Sequence, residues 1–156
     1  MDSTIGETPI WVRALQVPGW RWVPGMSAVH INWRTVEVLE VDEAKGVAKC
    51  RSARRAGYHD GQADVVLFLN QLWPDISDPV TAGHLLTLAR QAYDDATITT
   101  KHYPKLEGPE RKRWRVWRDG CPIAYGATEV EALVVAIEAA IDEDEMGDAD
   151  DSTADP

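Results

Sequence analysis

The stretch TVEVLEVDEAKGVAKCRSA, residues 35–53, alternates apolar and polar positions through Val36 and Val38 and then falls out of step. Val41 returns to the apolar side only if the chain slips at Leu39-Glu40. A period of two predicts a strand with one buried face, and a slip of one residue is what a bulge provides. DEAKG supplies a turn and Val47 to Cys50 begin a return strand, so the segment predicts a β-hairpin. ADVVLFLNQLW, 63–73, is a short apolar run; its valines favour a buried strand, and its leucines leave a helix open.

Two segments change to a period near 3.6. In SDPVTAGHLLTLARQAYDD, Ser77 or Asp78 is a natural N-cap and Pro79 suits the first turn. Ala82, Leu85, Leu86, Ala89, Ala92 and Tyr93 make one apolar stripe, and Gly83 in mid-helix suggests close packing on a neighbour. TEVE at 128–131 is a capping box, followed by Val130, Leu133, Val134, Ile137 and Ile141 on one helix face. VPGWRWVPGM, 17–26, repeats a Pro-Gly turn around an extended piece in which Trp20 and Trp22 share one side and Arg21 takes the other. TITTKHYPKLEGPE, 97–110, reads as a connection.

RKRWRVWRDG, 111–120, carries the strongest chemical signal. As a strand it places Trp114 and Val116 on one face and Arg113, Arg115 and Trp117 on the other, before a turn at RDGCP and a short strand IAYG. Cations beside an aromatic ring suit single-stranded nucleic acid. The same pattern also describes a core strand whose arginines lie over Trp117. KCRSARR, 49–55, is a second basic cluster.

Charge weighs against nucleic acid. The net charge is −10, yet eight of the 26 acids fall in DEDEMGDADDSTADP, 142–156, which has no base. The remainder holds 18 acids against 16 bases, so it is close to neutral rather than basic. An acidic tail repels phosphate or competes for the basic strand, and it can also imitate phosphates toward another protein's basic cleft. Seven Trp against one Phe is unusual, and Trp serves cores and binding hot spots alike. Trp11, Trp20, Trp22 and Trp33 are candidate anchors.

Catalytic patterns are weak. His30, His59, His84 and His102 lack the spacing of a zinc site, and His59-Asp60 are neighbours that an extended chain points apart. Cys121 precedes a proline with no evident base, and Cys50 and Cys121 are not in a CxxC pair. No phosphate loop or nucleophile elbow is present. MDSTIGETPIW lacks the basic start and apolar stretch of a secretory signal, and the longest apolar run, LVVAI at 133–137, is too short to span a bilayer. The expectation is a cytoplasmic protein with reduced thiols, no metal and no cofactor.

The arrangement GWRWVPGM … DPVTAGHLLTLARQAY … WRVW … GATEVEALVVAIEAA resembles a group of small phage- and prophage-encoded proteins of GC-rich bacteria, over about residues 17–141. That resemblance implies origin rather than chemistry. The C-terminal hairpin and GATEVEAL helix are similar to the HicB-like antitoxin module, without the acidic Asp-Leu-Pro segment of its hairpin.

The sequence thus predicts an α+β fold, a small antiparallel sheet packed by two helices. A single domain spans 10–141, after a flexible 1–9 and before a disordered acidic tail, 142–156. The expected function is that of a non-enzymatic phage-type accessory protein binding a host or phage protein through Trp20, Arg21, Trp22, Arg113, Arg115 and Trp117, and modulating a process such as antiviral defence. The alternative is single-stranded nucleic-acid binding by 111–118, with the acidic tail as competitor.

Overall fold

The computed structural model describes residues 7–32, 34–52, 64–104 and 113–147. The chain is α+β, as its patterns predict; among the described residues it has three helices and two antiparallel sheets rather than two helices on one sheet. It divides into two compact units, Met1–His84 and Leu85–Pro156.

The first unit holds α1 (Ile10–Gln16) and strands β1 (Ser27–His30), β2 (Thr35–Asp42), β3 (Val47–Ser52), β4 (Val65–Phe68) and β5 (Leu72–Pro74). Their order across the sheet is β4-β3-β2-β1-β5. The hairpin β2–β3 carries the expected bulge: Val38 faces Cys50 and Glu40 faces Lys49, so Leu39 is the extra residue. That residue keeps Val36, Val38 and Val41 on the side of a core built from Trp22, Met26, Ala28, Ala48, Cys50 and Leu72.

Both Pro-Gly pairs form tight turns. The amide of Trp20 donates to the carbonyl of Val17 at 3.0 Å, and that of Met26 to Val23 at 3.1 Å. Gly19 and Gly25 sit at φ 80° and 93°, which a side chain resists after a proline-led turn. The second turn is tied to the sheet: Gly25 donates to the Val38 carbonyl, and Val38 to that of Met26.

One element in this unit was not anticipated, and the expectation for 63–73 is corrected. Residues 10–16 form a helix without a side-chain cap, begun at Pro9, whose carbonyl accepts from Val12 and Arg13. The run 63–73 splits into β4, a 3-10 turn (Leu69–Gln71) and β5. Its valines do form a strand, but an exposed edge one rather than a buried one, because β4 has only β3 beside it.

Helix α2 (Pro79–Ala92) crosses the boundary between the units. Asp78 is its N-cap: Oδ2 accepts from the Thr81 amide at 2.9 Å and the Thr81 hydroxyl at 2.8 Å. The same oxygen accepts from the Ser27 amide at 3.1 Å, fastening the helix start to β1. Along the predicted stripe Ala82, Leu85 and Ala89 are buried, whereas Ala92 is exposed.

The second unit holds β6 (Thr99–His102), β7 (Trp114–Arg118), β8 (Cys121–Gly126) and α3 (Glu129–Gly147), with strand order β6-β7-β8. Strand β6 lies within the expected connection 97–110; its alternation is too short and too polar to announce a strand. Residues 105–110 of that connection, and Arg111 and Lys112 of the run that follows, lie outside the described residues. Asp119 and Gly120, both at positive φ, make the two-residue turn between β7 and β8.

Helix α3 packs on β8 and β7. Its start differs from the predicted capping box by one residue. The Thr128 hydroxyl accepts from the Glu131 amide at 3.1 Å, while the Glu131 carboxylate accepts from the amide of Ala127 rather than Thr128, at 2.7 Å. Val130, Leu133, Val134 and Ile137 are buried. The helix also runs six residues into the segment expected to be a disordered tail. Packing through Ala140 gives a nucleus that good helix formers extend to Gly147. Residues 148–156 lie outside the described residues.

The two helix-associated glycines exchange roles. A Cβ on Gly83 would meet nothing within 4 Å, so the close packing expected there is absent. A Cβ on Gly126 would collide with the Ala132 amide nitrogen and the Thr128 carbonyl, because α3 crosses directly over that end of β8. Gly83→Ala should therefore raise stability by about 0.5–1 kcal/mol. Gly126→Ala should lower it by about 1–3 kcal/mol. Denaturant unfolding of both variants beside the parent reads the opposite signs.

Candidate functional site

The cross-strand register of β6, β7 and β8 separates two faces. Thr100, Val116 and Ala124 stand in one row, with Val116 and Ala124 buried on the α3 side. Lys101, Arg115 and Tyr125 form the next row, on the opposite face. The pairing extends to Tyr103, whose amide donates to the Arg113 carbonyl at 2.7 Å, and to Thr99 beside Trp117. Arg113, Arg115 and Trp117 therefore share the outer face, joined by Lys101 and Tyr103 from β6 and Tyr125 from β8.

On this face the cations lie on the rings. The Arg115 guanidinium is 4.5 Å from the Tyr103 ring centroid and 5.6 Å from that of Tyr125. The Lys101 ammonium is 5.0 Å from the Trp117 ring. The arginines were expected over Trp117; the cation there is Lys101, supplied by the strand that was read as a connection. Each such contact contributes about 0.5–2 kcal/mol, more as water is excluded. Arg113, Arg115 and Trp117 are half-buried, and the Trp117 indole N–H has no hydrogen-bond partner. Trp114, expected under the helix, is half-buried and stacks on the His102 ring at 4.7 Å.

Arg118 belongs to a different cluster at the turn end of β7. Its guanidinium lies 4.9 Å from the Tyr93 ring and its Nε donates to Asp95 at 3.3 Å. Hydrogen bonds from Thr97, with help from Arg118, hold the Asp95 carboxyl below its ordinary range. Burial and the nearby Glu143 carboxylate push the Tyr93 phenol up, against the pull of Arg118. The phenol donates to the Ala136 carbonyl at 2.8 Å.

The other predicted anchors lie in the first unit. Trp22 is buried in the core, Trp20 is half-buried beside it with ring centroids 5.8 Å apart, and Arg21 is exposed. Trp11 stacks on Trp73 at 5.2 Å, and Trp33 lies outside the described residues. Trp22 is thus a core residue with no surface to offer a partner. In the second basic cluster Lys49 and Arg51 both pair with Asp64, at 3.8 and 3.4 Å; residues 53–55 lie outside the described residues.

His30 Nδ1 accepts from the Asn32 amide, and His59 and Asp60 lie outside the described residues. Cys50 is buried, which raises its thiol pKa, while Cys121 is exposed. Among the described residues, no group of three or more His, Cys, Asp and Glu could hold a metal ion, and no helix is long and apolar enough to cross a membrane. Compared with family models, curated proteins and solved structures, the chain matches none.

Lys101, Tyr103 and Tyr125 escaped the sequence reading. A period-two count through TTKHY would have found the first two, had 99–103 been read as a strand.

His84 offers a pH test of the first unit. Its ring packs edge-on against Trp20 at 5.5 Å, and its buried Nε2 has no hydrogen-bond partner. Burial, and then the charge of Arg21, lower its pKa from the ordinary 6.5. The unfolded chain therefore binds this proton more readily than the folded one. Its contribution to stability is full above pH 6.5 and is lost as pH falls from there toward the lowered pKa of the folded state. The thermal midpoint of the parent should drop more steeply on acidification than that of His84→Phe, as differential scanning calorimetry at a series of pH values would show.

Proposed function

We propose that this chain is a non-enzymatic binding protein that holds an acidic segment of a protein partner on the outer face of β6, β7 and β8. The observation that supports it is the placement of Arg115 over Tyr103 and Tyr125, with Lys101 over Trp117. A guanidinium stacked on rings keeps in-plane donors for carboxylates. The same stacking covers ring faces that a nucleobase would need. Three cations from two strands meet on this face, so a carboxylate-rich segment is the complementary ligand. The resemblance to phage- and prophage-encoded proteins extends the reading to a host or phage partner in the bacterial cytoplasm, and to modulation of a host process such as antiviral defence.

A second reading, single-stranded nucleic acid, is favoured by the alternation of cations and rings on a three-stranded sheet. It requires Lys101 and Arg115 to leave their rings.

Titration of tryptophan fluorescence with an oligoglutamate peptide and with an oligothymidylate separates the two. The peptide should bind at low salt, and Arg115→Gln should weaken it about tenfold, equivalent to roughly 1.4 kcal/mol. Stronger binding of the oligothymidylate would transfer the site to nucleic acid, and binding of neither would remove both readings. Truncation after Gly147, which deletes four of the acids, should raise the affinity for either anion at low salt.

A further inference from the structure

The two edges of the five-stranded sheet are built differently. Strand β5 is three residues long, ends in Pro74 and is packed by α1, through contacts that include Trp11 on Trp73. These are devices that keep an edge from pairing. Strand β4 is one residue longer and has no proline. It reads Val65-Val66-Leu67-Phe68, without charge, proline or bulge. Val65, Val66 and Phe68 are 46%, 68% and 59% exposed. No strand lies beyond β4 among the described residues.

The direction of its free backbone groups follows from the ladder. The Leu69 amide donates to the Gly46 carbonyl at 2.9 Å, in register with the pairs of Leu67 with Ala48 and Val65 with Cys50. Hydrogen-bonded pairs alternate in an antiparallel ladder, so Val65 and Leu67 point their N–H and C=O groups at β3. Those of Val66 and Phe68 point outward.

We propose that this edge pairs with β4 of a second copy of the chain, joining two five-stranded sheets about a two-fold axis at Leu67. With the axis there, Val66 of each copy lies opposite Phe68 of the other. These are the residues with outward N–H and C=O groups, so the two pairs exchange four hydrogen bonds. Leu67 meets Leu67 of the second copy in a non-hydrogen-bonded pair, where side chains come closest. Both faces of the junction are apolar, and Asp64 falls opposite Asn70. Moving the axis to Val66 would set the Asp64 carboxylate against Phe68, so charge selects the first register. One surface serves both partners, as a two-fold interface requires. The pairing is short, so its area lies at the weak end, below about 1,200 Å², and association is concentration-dependent.

Sedimentation velocity on the full chain, from about 5 to 500 µM, tests this at the strength such an area implies. The apparent mass should rise from 17.3 kDa toward twice that value. Val66→Lys, at an exposed position, should stay at the monomer mass with an unchanged circular dichroism spectrum. In a Cys121→Ser background, Leu67→Cys should form a disulfide-linked dimer under mild oxidation and Phe68→Cys should not, because only position 67 meets its own copy. A parent that stays monomeric throughout, a dimer that Val66→Lys leaves intact, or cross-linking through position 68 in preference to 67 would each overturn the proposal.

Discussion

A single carboxylate oxygen organises the entry to the helix that both units share. Asp78 Oδ2 takes two hydrogen bonds from Thr81 and one from the Ser27 amide, and the residue is 7% exposed. A buried carboxylate is tolerated only when its acceptor capacity is used, and here three donors use it. Two more bonds reinforce the join: the Asp75 amide donates to the Ser27 carbonyl, and the Asp78 amide to that of Asp75. The start of α2 is therefore located by the beginning of β1 and the exit from β5.

Within the second unit, the bond between structure and surface chemistry is the register of three strands. The α3 side is filled by Val116, Ala124 and the aliphatic face of the helix. The other side is left to long cations and rings, with Arg115 over Tyr103 and Tyr125 and Lys101 over Trp117. Arg115 lies against two rings, Tyr103 and Tyr125, which restricts its side chain. Protein binding and nucleic-acid binding differ here in one physical respect, whether rings or cations face outward.

Much of this was legible in the sequence where a rule acts over a few residues. The bulge at Leu39 followed from the spacing of Val36, Val38 and Val41. The caps at Asp78 and Thr128 and the Asp-Gly turn followed from side-chain chemistry next to the backbone. What escaped depends on neighbours far along the chain. Helix α1 has no capping side chain, and at seven residues its pattern is too short to stand out. Strand β6 is mostly polar and exists because β7 pairs with it. The valines of β4 state a preference for a strand but not whether anything lies on its other side. Gly83 and Gly126 are alike as letters; only the path of α3 over β8 makes the second indispensable. The division of the described strands into two sheets is likewise a property of pairing, not of any local pattern.

The last two turns of α3 stand against their own electrostatics. Asp142, Glu143, Asp144 and Glu145 are exposed and consecutive, with no basic residue in the final turn. They sit where the aligned peptide dipoles already place about half a negative charge. Packing holds the helix as far as Ala140; beyond that point only backbone propensity resists the repulsion. Counterions or acid weaken that repulsion, and dilute buffer leaves it at full strength. The cohesion of these two turns thus depends on the medium in a way that the packed turns before Ala140 do not share.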